Sequence, residues 1–247
     1  MSTRALDEQV DQLPLPQALS LETPPLENGD RLTRSEFERR YVAMPSLKKA
    51  ELIEGVVYMP SPVRVKNHGT PHGQIMGWVA VYCAATPGIE SADNATLRLD
   101  PDNEPQPDVA LWLREAAGGR ARISEDDYLE GAPEMIVEVA SSSAAYDLHD
   151  KLNVYRRNGV EEYVVWRVYD RQIDWFLLEA ERYRRISPDA EGILQSRTFP
   201  GLRLCVPALL GGDLSRVLAE LQIGLASEEH AAFVKRLASA VLENTQN

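Results

Sequence analysis

"PEMIVEVASSSAAYDLHDKLNVYRRNGVEEYVVW", residues 133–166, reads as strand, helix, strand. Pro133 and the serines at 141–143 bound a short apolar run whose β-branched residues suit a pleated sheet. Tyr146, Leu152 and Tyr155 then pattern one side of a helix that Asn158-Gly159 stops. Glu138 breaks the apolar run between Val137 and Val139. A carboxylate there is costly to bury unless it is paired or binds a metal, and the alternative is an edge strand with Glu138 in water. Asp147, Lys151 and Tyr155, at i, i+4 and i+8, share one helix face. An Asp–Lys pair at that spacing is most often a surface salt bridge worth a few tenths of a kcal/mol.

Working outward, "EPQPDVALWL" at 104–113 leads from a proline-broken turn into a second apolar strand, with Asp108 at its mouth. Aspartate is depleted in strands and common in turns, so alone it closes a loop. With Glu138 thirty residues later and Lys151 beyond, it joins an ordered set. Two carboxylates on adjacent strands can hold a hard divalent ion through oxygen, and Mg²⁺ keeps several waters when so bound. A nearby lysine can orient water and stabilise charge on a phosphoryl group.

The remaining elements complete a mixed layout. "LTRSEFERRY" opens a short helix with Thr33 and Glu36 at capping-box spacing, and "AELIEGVVYMPSP" holds a strand that Pro60 and Pro62 end. "PHGQIMGWVAVYCAA" is helical, 114–132 is a charged surface excursion, and 162–186 is a β-meander with turns near Asp170 and Glu181. Two amphipathic helices close the chain, the second with Phe233, Val234, Leu237 and Val241 on one stripe. That stripe predicts packing on the core or on a second subunit, hence a homodimer. Residues 1–30, rich in proline and polar residues, read as a poorly ordered arm; 31–210 form the main domain and 211–247 a helical extension.

With 44% hydrophobic and 26% charged residues the composition is globular, and no long apolar run predicts a membrane span. Cys83 and Cys205 offer neither a disulfide framework nor a zinc ribbon, which suits a cytoplasmic protein. A net charge of −12 argues against broad adhesion to nucleic acid or anionic membrane, though not against a local basic groove.

Taken with "ELIEGVVYMPSP", "PQPDVALW", "PEMIVEVASSS" and "YDLHDKLNVYRRNGVEEYVVW", the ordered set resembles the PD-(D/E)XK nuclease superfamily, and within it the Uma-two family of restriction-endonuclease-like domains. The likeness covers roughly residues 31–210. It implies an α/β (α+β) fold: a restriction-endonuclease-like core with a mixed β-sheet flanked by helices, then a β-meander and C-terminal helices. It further implies Mg²⁺- or Mn²⁺-dependent hydrolysis of DNA, with Asp108 and Glu138 as metal ligands, Lys151 as catalytic lysine and Glu51 as a further acidic residue. The superfamily lysine normally stands two residues after the glutamate, where this chain has Ala140. Lys151 serves only if its helix folds back over the strand ends. The rival reading is a nucleic-acid-binding or regulatory module on the same fold that does not cut.

His68 and His72 have metal-helix spacing, but Gly69 and Pro71 between them argue against a continuous helix. His72 opens its helix as a supporting or capping residue, and Asp147 and Tyr155 support Lys151 from its own helix. Ser141, Ser142 and Ser143 suit a helix start or a phosphate contact, and no Gly-x-Ser-x-Gly elbow is present. Arg156, Arg157, Arg184 and Arg185 are the candidate phosphate contacts.

Overall fold

The computed structural model describes residues 23–60, 63–141 and 144–245. The expected arm up to residue 22, Pro62, and Ser142 and Ser143 of the serine cluster lie outside these residues. Order begins before residue 31: Leu26 is buried beside Phe37, Leu52 and Val57, and Gly29 N–H donates to the Val57 carbonyl at 2.8 Å. Thr33 precedes helix α1 (Arg34–Val42), but the capping box does not form. Glu36 turns instead to Arg39 and Arg40, at 2.7 Å from each, because a charged partner outcompetes the neutral backbone N–H.

Strands β1 (Glu51–Ile53) and β2 (Val56–Tyr58) form a hairpin. Its two-residue turn, Glu54-Gly55, has positive φ at both positions (52° and 70°), as a right-twisted hairpin prefers. Helix α2 (Thr70–Ala85) follows, and then β3 (Ile89–Asp93), β4 (Val109–Leu113), β5 (Met135–Ala140), helix α3 (Leu152–Asn158), β6 (Glu162–Arg167), β7 (Gln172–Glu179) and β8 (Arg182–Ile186). The six strands β8-β7-β6-β5-β4-β3 lie side by side in that order. Every neighbouring pair is antiparallel except β5 and β6. A parallel pair needs a crossover, and the helical segment ending in α3 supplies it.

Alternation assigns the two faces of the sheet. Val109, Leu111, Val137, Val139, Val164, Trp166 and Trp175 pack with Trp78 and Tyr82 of α2 on one side. Ala110, Trp112, Ile136, Ala140, Tyr163 and Val165 pack with Val154 and Tyr155 of α3 on the other. The sheet is covered on both faces, so Glu138 stands in a central strand at 4% exposure and not at a wet edge. Residues 114–132 are more integrated than a surface excursion. Arg122–Ile123 and Leu129–Glu130 join Leu97–Arg98 in a three-stranded sheet that buries Ala121 and Leu129.

Helices α4 (Leu214–Leu225) and α5 (Glu228–Thr245) close the α2 side. Phe233, Leu237 and Val241 of the expected stripe pack into the core with Val217 and Leu221, so these three are taken up within the chain. Among the described residues no helix is long and apolar enough to cross a membrane.

Candidate active site

Antiparallel register brings the two key carboxylates together. Val109 pairs with Val137, so one step further Asp108 faces Glu138. Both belong to the face that α3 covers, by the same alternation that assigns Ala110, Ile136 and Ala140. Asp108 Oδ2 accepts from Val139 N–H at 2.7 Å, and Asp108 N–H approaches Glu138 Oε2 at 3.4 Å. The aspartate at the strand mouth therefore does more than close a turn; it continues the ladder with its side chain.

The helix does fold back over the sheet. Ala140 packs in the same cluster as Val154 and Tyr155, and the turn before them brings Lys151 to Glu138. Its Nζ lies 2.9 Å from Glu138 Oε1 and 2.8 Å from Glu51 Oε1, with Asp147 Oδ1 more distant at 3.9 Å. The expected surface pair of Asp147 and Lys151 is thus a buried network in which Lys151 favours two carboxylates from other strands. A π turn over Asp147–Lys151 delivers both residues, the kind of widened turn common at functional sites. Tyr155 donates its hydroxyl to Glu138 Oε1 at 3.0 Å, and Gln106 N–H donates to Glu51 Oε1 at 2.8 Å. The hairpin carrying Glu51 is tied to the approach to Asp108 by paired backbone bonds between Leu52 and Glu104.

His68 is the residue that sequence reasoning set aside. A second π turn, Val65–Gly69, runs without a break into α2, and its i→i+5 geometry (Gly69 N–H to the Arg64 carbonyl, 3.1 Å) carries the chain past Pro71. His68 and His72 therefore stack, their ring centroids 5.7 Å apart. His68 Nδ1 lies 2.9 Å from the Val139 carbonyl and its Nε2 3.3 Å from Asp108 Oδ1. His72 Nε2 lies 3.1 Å from both the Asp108 carbonyl and Asp93 Oδ1. Nothing in the sequence marks a π turn; the i, i+4 spacing is the one signal it offers.

Carboxyl groups outnumber buried cations in the cluster. Glu51, Asp108, Glu138 and Asp147 are each at most 5% exposed, and Lys151 at 3% is the buried lysine among them. Burial pushes the Glu138 carboxyl up to about 8 against the pull of Lys151, with Asp108, Asp147 and Glu51 adding to the rise. Burial would lower Lys151, but Glu138, Glu51 and Asp147 overcome it and hold the ammonium well above its ordinary pKa. Burial would likewise raise Asp108, yet the hydrogen bond and charge of His68, helped by Lys49, hold it below the usual range. The bond to Asp108 in turn raises His68.

Among the described residues no three or more His, Cys, Asp or Glu side chains form a ready cage for an ion. A cation that keeps its waters needs fewer ligands, and Mg²⁺ is commonly held by one or two carboxylates with water and phosphate completing its shell. Asp108 Oδ1 and Glu138 Oε2 are loosely engaged, their partners standing at 3.3 and 3.4 Å. That donor set fits such an ion. The Tyr146 hydroxyl, on the same helical segment, is buried without a hydrogen-bond partner among the described residues.

The arginines expected to contact phosphate are not part of this cluster. Arg157 pairs with Glu54 at 2.6 Å, Arg184 with Glu179 at 3.5 Å and Arg185 with Asp174 at 2.8 Å, while Arg156 donates to the Glu181 carbonyl at 3.0 Å.

A crystal structure described as a putative nuclease belonging to DUF820, from Anabaena variabilis, is similar to this chain with a TM-score of 0.54. The two are 12% identical, and the match covers 70% of this chain and 97% of that one, a likeness of fold. No curated protein matches. The model of the Uma2 family, described as "Putative restriction endonuclease", matches residues 34–207, a span that holds every residue of the cluster. The chain belongs to the Uma2 family.

Proposed function

We propose that this protein is a metal-dependent nuclease that hydrolyses DNA phosphodiester bonds, with Asp108 and Glu138 holding Mg²⁺ or Mn²⁺. The excess of buried carboxyl groups over buried cations carries the reading. A fold that gathers Glu51, Asp108, Glu138 and Asp147 around one lysine bears a desolvation cost that a divalent ion offsets. The ion would supply Lewis acidity at the phosphoryl group.

The chain's own residues supply the rest. Hydrolysis joins a water oxygen to phosphorus and breaks one P–O ester bond, the water's proton leaving to solvent and the departing alkoxide taking one up. Lys151 remains an ammonium at physiological pH, so it serves as fixed charge and not as a base. It holds Glu138 and Glu51 in place and sets positive potential beside the carboxylates. Tyr155 fixes the other side of Glu138 Oε1, and His68 orients Asp108. One observation favours the rival, non-cleaving module: Lys151 is 3% exposed and engaged by its carboxylates.

Supercoiled-plasmid cleavage separates the two. The nuclease reading expects nicking with Mg²⁺ or Mn²⁺, none with EDTA, and a loss of about 10²-fold or more in Asp108→Asn. DNA binding without cleavage under any divalent ion would replace it with the module.

A further inference from the structure

The net charge of −12 repels a polyanion, so a nucleic-acid strand can reach Asp108 only past cations that carboxylates have not already claimed. Arg157, Arg184 and Arg185 are claimed. So are the guanidinium groups around a hollow of about 470 Å³: Arg34 and Arg98 reach Glu38, Arg120 reaches Glu161, and Arg122 reaches Glu130. Each would have to break an ion pair to bind phosphate.

The segment leading into the Val65–Gly69 π turn differs. Arg64 and Lys66 are exposed and their side chains make no ion pair or hydrogen bond among the described residues, yet two residues later the same turn places His68 on Asp108. Lys49 stands at the inner end. Its Nζ donates to Asn94 Oδ1 at 2.8 Å, Asn94 N–H in turn approaches the Asp108 carbonyl at 3.4 Å, and Lys49 makes no ion pair among the described residues. Beside the turn, Asn67 Nδ2 donates to the Tyr169 hydroxyl at 2.8 Å, fixing a ring that is 61% exposed. Val63 and Val65 leave further apolar surface alongside, at 68% and 75% exposure.

We infer that Arg64, Lys66 and Tyr169, with Lys49 innermost, form the track on which a single-stranded stretch of nucleic acid enters the site. The inference rests on the nuclease reading above and names the form of its substrate. Arg64 and Lys66 take successive phosphates at no cost in broken ion pairs. Tyr169 offers a pinned aromatic face to a base, and a base can use that face only when it is unstacked from its neighbours. Unpaired cations beside an exposed aromatic ring are the pairing that single-strand binders use.

Fluorescence anisotropy in EDTA, where no cleavage occurs, tests the track on the full chain with a labelled 12-nucleotide DNA strand, the same strand in RNA, and the DNA duplex. The wild type should bind the single strands more tightly than the duplex. Arg64→Glu/Lys66→Glu should weaken binding by tenfold or more and flatten its dependence on log salt by about 1.4, the value for two lost phosphate contacts on a single strand. Tyr169→Ala should weaken single-strand binding about tenfold and leave the duplex unchanged, whereas Arg184→Ala/Arg185→Ala should bind like wild type. All these side chains lie at the surface or in its outermost strand, and circular dichroism will report whether each variant is folded. Wild-type binding or plasmid cleavage that survives both track variants overturns the track and leaves the nuclease reading standing. Tighter binding of duplex with no effect of Tyr169→Ala overturns the single-strand assignment. A wild type that neither binds nor cleaves nucleic acid overturns both.

Discussion

Two glutamates stand on the adjacent parallel strands β5 and β6, both deeply buried, and they are held in opposite ways. Glu162 accepts from Ser196 Oγ, Arg197 N–H and Thr198 N–H at Oε1 and from Trp175 Nε1 at Oε2, all within 2.9 Å. Glu138 has Lys151 and Tyr155 on Oε1 and only a 3.4 Å approach from Asp108 N–H on Oε2. Burial raises both carboxyl groups. The first is closed by neutral donors and pins residues 196–198 to the sheet. The second is charge-paired on one oxygen and open on the other. Burial and a raised pKa are common to both and do not separate the two carboxylates; the kind of partner and the uncommitted lone pair do.

The largest effect should come from removing the cation of the open site. Lys151→Met leaves Glu138, Glu51 and Asp147 uncompensated, so cleavage should fall about 10²-fold or more and stability by about 3–5 kcal/mol at pH 8. Lys151→Arg should not restore cleavage, because a planar guanidinium cannot take the same compact position. Urea titration beside the plasmid assay reads both; unchanged stability would mean that the network is weaker than its geometry.

The closed site should respond differently. Glu162→Gln sets an amide NH₂ against N–H or O–H donors in either orientation, costing about 1–3 kcal/mol. Calorimetry with Mn²⁺ should find its metal binding unaltered, and a matched loss of metal binding would erase the distinction between the two glutamates.

A third buried glutamate sharpens the comparison, having neither arrangement. Glu104 is 2% exposed, and its Oε2 has no partner among the described residues. Burial, then Glu38, pushes its carboxyl up to about 8 from 4.5. The folded state therefore holds a proton that the unfolded chain releases, and stability falls as pH rises from about 4.5 to about 8, then levels. Glu104→Gln should stabilise the protein by about 1–2 kcal/mol at pH 8.5 and by nothing at pH 4. Thermal denaturation at the two pH values checks this, and an equal effect at both would remove the proton from the explanation.

A charged residue inside an apolar strand is conspicuous, which is why Glu138 is legible in the sequence; Asp108 at a strand mouth and Lys151 on the following helix become legible only as members of the ordered set. The sheet and the covering helix are legible because strand and helix periodicities leave different marks. His68 is not, because Gly69 and Pro71 read as a helix break while the π turn that bypasses them has no signature of its own. The pairing of the arginines is equally hidden: Arg157 meets Glu54 across a sequence distance of 103 residues. Lys49 is hidden for that reason too, since its nearness to Asp108 depends on how the hairpin docks.

Calorimetric titration of Mn²⁺ into the metal-free protein tests the proposed sharing of one divalent ion by Asp108 and Glu138. The wild type should show a single site, retained in Glu162→Gln and lost in both Asp108→Asn and Glu138→Gln. Binding that survives both of the latter substitutions, or no binding by the wild type, would contradict it.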